Sequence, residues 1–252
     1  PFGAEIDNGC MFGRGTSDMK GGLLAGILAM VYLTEAKVQL RGDVTVESVV
    51  NEEHAGNGTL DLVRRGYSGD GAIVLEPTSN EVAVSHAGGL YWQLNVPGRA
   101  RPPGARWSGH TLEGVSAIEK LPVVIDALLN LEKSYNSKPS DDPMEEGRAA
   151  FSMVIGRVSG GHYETVSASE VVLRGGAYFS PVAGDIQEVM ASMSAVIDKA
   201  NDQDDFLRDN PARLQFLHHD DSMRQSQQIP LAVALCHVLE DRDARSNIGA
   251  GP

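Results

Sequence analysis

The stretch GRGTSDMKGG, residues 13–22, runs directly into an apolar pattern. Leu23, Leu24, Ile27, Leu28, Val31 and Tyr32 recur at three-and-four spacing between Met19 and Glu35. That spacing predicts a helix with one buried face, opening just after Asp18. Two β-branched runs come next, DVTVESVV at 43–50 and AIVL at 72–75, and both predict strands. Each runs into acid: Glu52 and Glu53 after the first, Glu76 after the second. Helix and strands in alternation predict an α/β layer with a largely parallel sheet, whose functional groups collect at the carboxyl ends of the strands.

Outward from this core the texture changes near Ala87. A strand over Leu90–Val96 leads into a Pro/Gly/Arg loop at Gly98–Gly109, and a helix is expected over Val115–Lys133. Its apolar positions Val115, Ile118, Leu121, Ile125, Leu128 and Leu131 suit one side of a sheet. Strands near Ala150–Val158 and Glu170–Ala177, a helix near Gly184–Ala200 and a last strand near Arg213–Leu217 complete the order β-α-β-β-α-β, the ferredoxin-like or split-βαβ arrangement. Residues 1–86 and 218–252 are therefore expected to form one domain, with 87–217 inserted into it. Asn136–Glu146 and Asn201–Asn210 read as solvated acidic connectors.

Composition narrows the function classes. Hydrophobic residues make up 42% and charged residues 22% of the 252, which argues against general disorder. A net charge of −13 repels phosphate backbones and anionic bilayers, so neither nucleic acid nor a membrane is expected as partner. Cys10 and Cys236 form no C-x-x-C pair, which fits a reduced, cytoplasmic protein. No apolar run approaches the roughly 20 residues that span a bilayer. The chain opens on Pro1 rather than methionine, so an upstream segment is expected.

Asp18, Glu52, Glu53 and Glu76 stand at the mouths of the first domain's elements, beside Gly21, Gly22, Gly56 and Gly58. Carboxylates converging above a sheet repel one another, and a divalent cation is what would keep them ionised together. Adjacent residues leaving a strand point opposite ways, so one of Glu52 and Glu53 could hold metal while the other faces metal-bound water. Taken alone, the pair reads most simply as two solvated loop glutamates. His54, next to the pair, His86 and His110 are possible supporting or substrate residues. His218, His219, Asp220 and Asp221 look metal-like but read more simply as a polar linker.

Together the three segments GRGTSDMKGG, NEEHAGNG (51–58) and LEPTS (75–79) resemble the zinc-dependent amidohydrolase and exopeptidase family of acetylornithine deacetylase, succinyl-diaminopimelate desuccinylase, aminoacylase and carboxypeptidase G. Their order and spacing, 35 residues from Asp18 to Glu53 and 23 from Glu53 to Glu76, are similar to the family's. GVSAIEKLPVVIDALLNLE (114–132) and IGRVSGGHYETVSAS (155–169) resemble its lid helix and the strand and loop after it. The resemblance implies a zinc-exopeptidase-like catalytic domain interrupted by a lid that also makes a homodimer. It implies Asp18 bridging two divalent ions, zinc first with cobalt or manganese possible, Glu53 and Glu76 as single-ion ligands, and Glu52 as general base. The implied substrate is a small N-acyl amino acid or peptide-like amide. LEPTS and DNPARLQFL (209–217) look closest to the acetylornithine deacetylase branch, with a dipeptidase or carboxypeptidase as the other enzymatic reading.

Three departures accompany the resemblance. The family's upstream H-x-D and its C-terminal histidine ligand have no counterpart here: PFGAEIDNGCMFGRGT (1–16) resembles the stretch just after the first, and DARSNIGAGP (243–252) the stretch just before the second. Where the family's lid has G-x-A-x-H, this chain reads GRARPPGARW, with Pro102 at the histidine position. Proline neither donates nor titrates there. The lid arginine of some relatives corresponds to Tyr178. A non-catalytic homologue that keeps a partial metal site and a dimerising lid is thus a further reading, whereas an α/β hydrolase is excluded by the lack of a G-x-S-x-G elbow.

Overall fold

The computed structural model describes residues 1–137, 147–240 and 248–250, with the side chains of His54, Ala55 and 248–250 outside the described set. The chain divides into two compact units, Pro1–Val82 with Gln228–Asn247, and Ala83–Gln227 with Ile248–Pro252.

Unit one opens on a hairpin of β1 (Glu5–Asp7) and β2 (Cys10–Phe12). Asn8 and Gly9 join the strands with φ of 48° and 80°, the left-handed pair that a two-residue turn requires and that Asn-Gly adopts readily. The turn Thr16–Gly21 leads into α1 (Gly22–Glu35). Then come α2 (Glu52–Ala55) and α3 (Asn57–Arg64), and after the other unit α6 (Pro230–Glu240). Burial here is slight. Among the described residues only Ala232 and Cys236 are buried, while Leu24 and Tyr32 of α1 are 54% and 62% exposed.

The expected parallel sheet does not form from 43–50 and 72–75. Both runs are without strand pairing, and every described strand pairing whose sense is known is antiparallel. A parallel strand is held on both sides by neighbours and covered on both faces. Val50 and Val74 are instead 76% and 74% exposed, and partners for these runs are not among the described residues.

Unit two holds the core. β3 (Val82–His86) and β10 (Met223–Arg224) pair antiparallel beside the main sheet, and β11 (Ile248–Ala250) joins β3. The main elements run β4 (Gly88–Pro97), α4 (Ala117–Tyr135), β7 (Phe151–Gly160), β8 (Glu170–Phe179), α5 (Ile186–Gln203) and β9 (Arg213–Asp220). A short hairpin of β5 (Trp107–Ser108) and β6 (Thr111–Leu112) precedes α4. The four long strands form one antiparallel sheet in the order β7-β8-β4-β9. Alternate residues face the two helices: Leu90, Trp92, Leu94 and Val96 of β4, and Val171, Leu173, Ala177 and Phe179 of β8, are buried against Val124 and Leu128 of α4 and Val189, Met193 and Ile197 of α5. Full burial of each large apolar side chain contributes about 1.5–3 kcal/mol. The opposite face of the sheet stays open, with Tyr178 and Val154 each 64% exposed.

Two boundaries move for physical reasons. Val115 bridges to Arg99, so α4 begins two residues later than expected, and its buried seam is Ala117, Val124, Leu128 and Leu131, with Ile118 53% exposed. α5 starts at Ile186 because Asp185 and Glu188 form a capping box, the Asp185 carboxylate accepting from Glu188 N at 2.9 Å. Asn201, the one buried asparagine among the described residues, is fully used: its amide donates to Ala212 O at 3.0 Å and accepts from Ala212 N at 2.9 Å.

Asp204 ties α4 to the turn after α5. Its Oδ2 accepts from Lys120 at 2.8 Å, and its Oδ1 caps Phe206 N and Leu207 N at 3.0 Å each. Burial pushes this carboxyl up, but the Lys120 hydrogen bond, the two backbone donors and the Lys120 charge outweigh it and hold the group below its ordinary 3.8. A depressed carboxyl stabilises the fold above its unfolded pKa, and that contribution is lost as pH falls through the lower folded value. Asp204→Ala is therefore expected to cost about 1–2 kcal/mol at pH 7 in urea unfolding. The gap between variant and parent should narrow as the pH drops below about 4, and a gap independent of pH would show that the charge is idle.

Candidate metal centre

Glycines at close approaches set the acids of unit one. Asp18 sits in the Thr16–Gly21 turn with φ −109° and ψ 106°, after Gly15 in the left-handed region, and its peptide bond to Met19 is cis. Immediately beyond, Gly22 lies so near Leu75 that a Cβ would overlap the Leu75 carbonyl oxygen, and a Cβ on Gly26 would meet the Leu75 side chain at 2.8 Å. The start of α1 is thus pressed onto the residue that precedes Glu76. Gly58 acts in the same way on α3: a Cβ there would stand 2.6 Å from Val50 O, two residues before Glu52. Asn51 and Gly56, both left-handed at φ 61° and 57°, bracket the short turn that carries Glu52 and Glu53. Of the glycines beside the acids, Gly22 and Gly58 permit close backbone contact and Gly56 supplies a left-handed turn.

The outcome is a mutual electrostatic grouping. The Glu76 carboxyl is raised above its ordinary value, first by its partial burial, then by the negative charges of Asp18 and Glu52, by side-chain hydrogen bonding with Asp18, and last by the charge of Glu53. Asp18, Glu52 and Glu53 are exposed and Glu76 is half-buried. Among the described residues, however, no three acidic, histidine or cysteine side chains are gathered tightly enough to hold a metal ion. Charge repulsion reaches farther than coordination, and so registers a grouping that ligation distances do not. In chemistry the donor set suits a hard or borderline divalent cation, whose charge would offset the repulsion at Glu76.

The His54 side chain lies outside the described residues. His86 is exposed at the end of β3, opposite Met223, and His110 is exposed in the turn of the β5–β6 hairpin; both belong to unit two. Pro102 is extended and exposed just before the turn Pro103–Ala105. His218, His219 and Asp220 are not a linker but the end of β9, with His218 Nε2 2.7 Å from Asp220 Oδ2. Asp221 accepts from the backbone N–H of Ile186 and Ser222 at 3.2 and 2.9 Å, so it serves the start of α5. No described helix is long and apolar enough to cross a membrane.

The chain is 31% identical over 216 residues to the N-formyl-4-amino-5-aminomethyl-2-methylpyrimidine deformylase of Bacillus subtilis, covering 83% of this chain and 50% of that protein. It is 30% identical over 148 residues to a probable succinyl-diaminopimelate desuccinylase of Staphylococcus epidermidis, covering 58% of this chain and 35% of the relative. The chain thus spans half or less of these relatives. In shape it is similar to aminopeptidase PepT of Bacillus cereus, with a TM-score of 0.64 over 98% of this chain and 61% of that one at 15% identity. Human carnosine dipeptidase 1 gives 0.58 over 98% and 62% at 12% identity. At such identity the two structures bear on the fold alone, a mixed α/β one. The family model described as peptidase family M20/M25/M40 matches residues 1–239, so the chain belongs to that family.

Proposed function

We propose that the chain carries the acidic half of a metal-dependent amidohydrolase site acting on the N-acyl bond of a small amine or amino-acid derivative. The observation that carries this reading is the approach of the Asp18, Glu52 and Glu53 segments to Glu76, set by the close backbone contacts at Gly22–Leu75 and Gly58–Val50 and felt as negative charge at the Glu76 carboxyl. Family membership and the named activities of the relatives, a deformylase and a desuccinylase, support removal of a short acyl group. Acetyl transfer to water as in acetylornithine deacetylase is one member of that class, and no observation favours it over formyl or succinyl. Zinc, with cobalt or manganese as substitutes, would supply carbonyl polarisation and an acidic bound water. Asp18 would lie between two ions, with Glu53 and Glu76 on one each. Glu52 would take a proton from the attacking water and return it to the departing nitrogen. A catalytic domain from 1–86 with 218–252, a ferredoxin-like lid, 87–217, a homodimer through that lid and a cytoplasmic setting belong to the same proposal.

A second reading has an observation of its own. The lack, among the described residues, of any gathered set of three ligands favours a homologue that keeps the carboxylates without turnover. Zinc content and release of free amine from N-formyl, N-acetyl and N-succinyl amines, measured on the chain together with any flanking sequence its gene encodes, separate the two. Bound zinc with amine release supports the enzyme; neither, at millimolar zinc, supports the other.

Two variants test the roles. Glu52→Gln is expected to lower turnover by at least about 100-fold while zinc content stays near normal, because the amide keeps the shape but accepts no proton. Asp18→Ala should lose zinc and turnover together, and undiminished zinc in that variant would place the bridge on another residue. Gly22→Ala tests positioning: the added methyl has to displace Leu75, so stability is expected to fall by about 1–3 kcal/mol with a parallel loss of zinc affinity. Zinc binding at parental strength in Gly22→Ala would separate that contact from the site.

A further inference from the structure

The open face of the four-stranded sheet carries a concentration of positive charge that runs against the rest of the molecule. Register sets out its rows. Arg157 of β7 lies opposite Arg174 of β8, Arg174 opposite Gln93 of β4, and Gln93 opposite Gln215 of β9. One row further along, Ser159, Val172, Asn95 and Arg213 stand in the same order. Residues directly opposite in an antiparallel pair project from the same face, with Cβ atoms about 5 Å apart. Arg157 and Arg174 are thus side by side on the open face, with Arg213 on the far edge.

In a chain of net charge −13, carboxylates would be the natural neighbours, yet none of the three guanidinium groups makes an ion pair among the described residues. The two carboxylates in register on this face are already engaged. Glu170 accepts from Asn95 Nδ2 at 2.9 Å, and Asp220 contacts His218 Nε2 at 2.7 Å. A directed chain fixes Arg174: its Nε donates to Gln93 Oε1 at 2.8 Å, Gln93 Nε2 donates to Asn95 Oδ1 at 2.7 Å, and Asn95 passes the polarity on to Glu170. That holds the guanidinium by its inner nitrogen and leaves both terminal nitrogens without a described partner. Like charges directly opposite in a sheet destabilise it. A fixed guanidinium with two outward nitrogens, a second guanidinium beside it and amides at the rim is the arrangement that binds an oxyanion by paired N–H···O bonds.

We propose that the centre of this face, Arg157 and Arg174 with Gln93 and Gln215 beside them and Arg213 on the next row, is a binding site for a small oxyanion, either the carboxylate of an organic acid or inorganic phosphate. The site lies wholly within unit two and does not depend on the reading of the carboxylates in unit one.

Calorimetric titration of the whole chain with succinate, and separately with inorganic phosphate, tests it, after metal has been stripped with a chelator and the chelator dialysed away, at fixed low ionic strength so that neither metal-bound anion nor screening contributes. Binding is expected, tighter for succinate if the site takes carboxylates and tighter for phosphate if it takes phosphate. Arg157→Gln and Arg174→Gln should each weaken it by about tenfold or more, as the loss of a charge-assisted pair does, and the double variant should abolish it. Lys199→Gln, which removes the same charge from the exposed side of α5, should change it by less than about twofold. With no anion added, Arg157→Gln should leave the melting temperature unchanged or raise it, since a repulsion is removed. No binding of either anion by the parent chain, equal binding by the double variant, an equal loss in Lys199→Gln, or a lower melting temperature in Arg157→Gln would each overturn the proposal.

Discussion

Close backbone approach at glycine, which brings like charges toward Glu76, is the constraint on which the acidic segments of unit one depend. Asp18, Glu52, Glu53 and Glu76 come from three separated segments, and they interact because glycine lets backbone meet backbone at Gly22–Leu75 and Gly58–Val50. Each carboxylate brought into the group raises the cost of ionising Glu76, on top of the cost of its partial burial. A cation would relieve all of it, which is why a site of this kind is folded for its ion as much as by its chain. Little else in unit one resists the repulsion, since its buried side chains among the described residues are Ala232 and Cys236.

Unit two is built on the opposite footing. Two helices cover one face of a sheet whose alternate residues interlock, and Asn201 pairs with Ala212 and Asp204 with Lys120. Among the described residues, Trp92 Nε1, Ser85 Oγ, Ser180 Oγ and Arg106 Nε are buried without a hydrogen-bond partner. The contrast bears on how the two units would answer to denaturant or a chelator: the second carries its own core, whereas the first is held by local turns and close backbone contacts.

The sequence discloses some of this and hides the rest for definite reasons. Period-2 alternation in LYWQLNV and three-and-four spacing in 117–131 announce strand and helix, because one face of each is buried and the pattern records it. The three acidic segments are legible because acids stand directly after apolar runs. Val115 misleads at the helix start, since an apolar residue in an isolated bridge looks the same as one on a helix. His218–Asp220 reads as a linker because composition argues for polarity, while pairing with Gly89, Leu90 and Tyr91 decides for strand. The strands expected at 43–50 and 72–75 show the reverse: propensity without a partner leaves an extended run. The juxtaposition of Arg157 and Arg174 is beyond reading, for they are 17 residues apart and meet only through a register that carries a bulge.

That bulge sets what this strand can tolerate. Ile155 pairs with Gly175 and Arg157 with Arg174, so Gly156 is the extra residue, and everything after it changes side relative to simple alternation. Met153 and Ile155 before it lie on the helix side, and so does Val158 after it, opposite Leu173, which places Arg157 in the open. The two faces of β7 after this point depend on that one extra residue staying bulged. Were Gly156 drawn into the ladder, Arg157 would turn toward the helices and Val158 to the open face, whereas loss of the Gly156 codon would set Arg157 directly after Ile155 in plain alternation and leave both where they are.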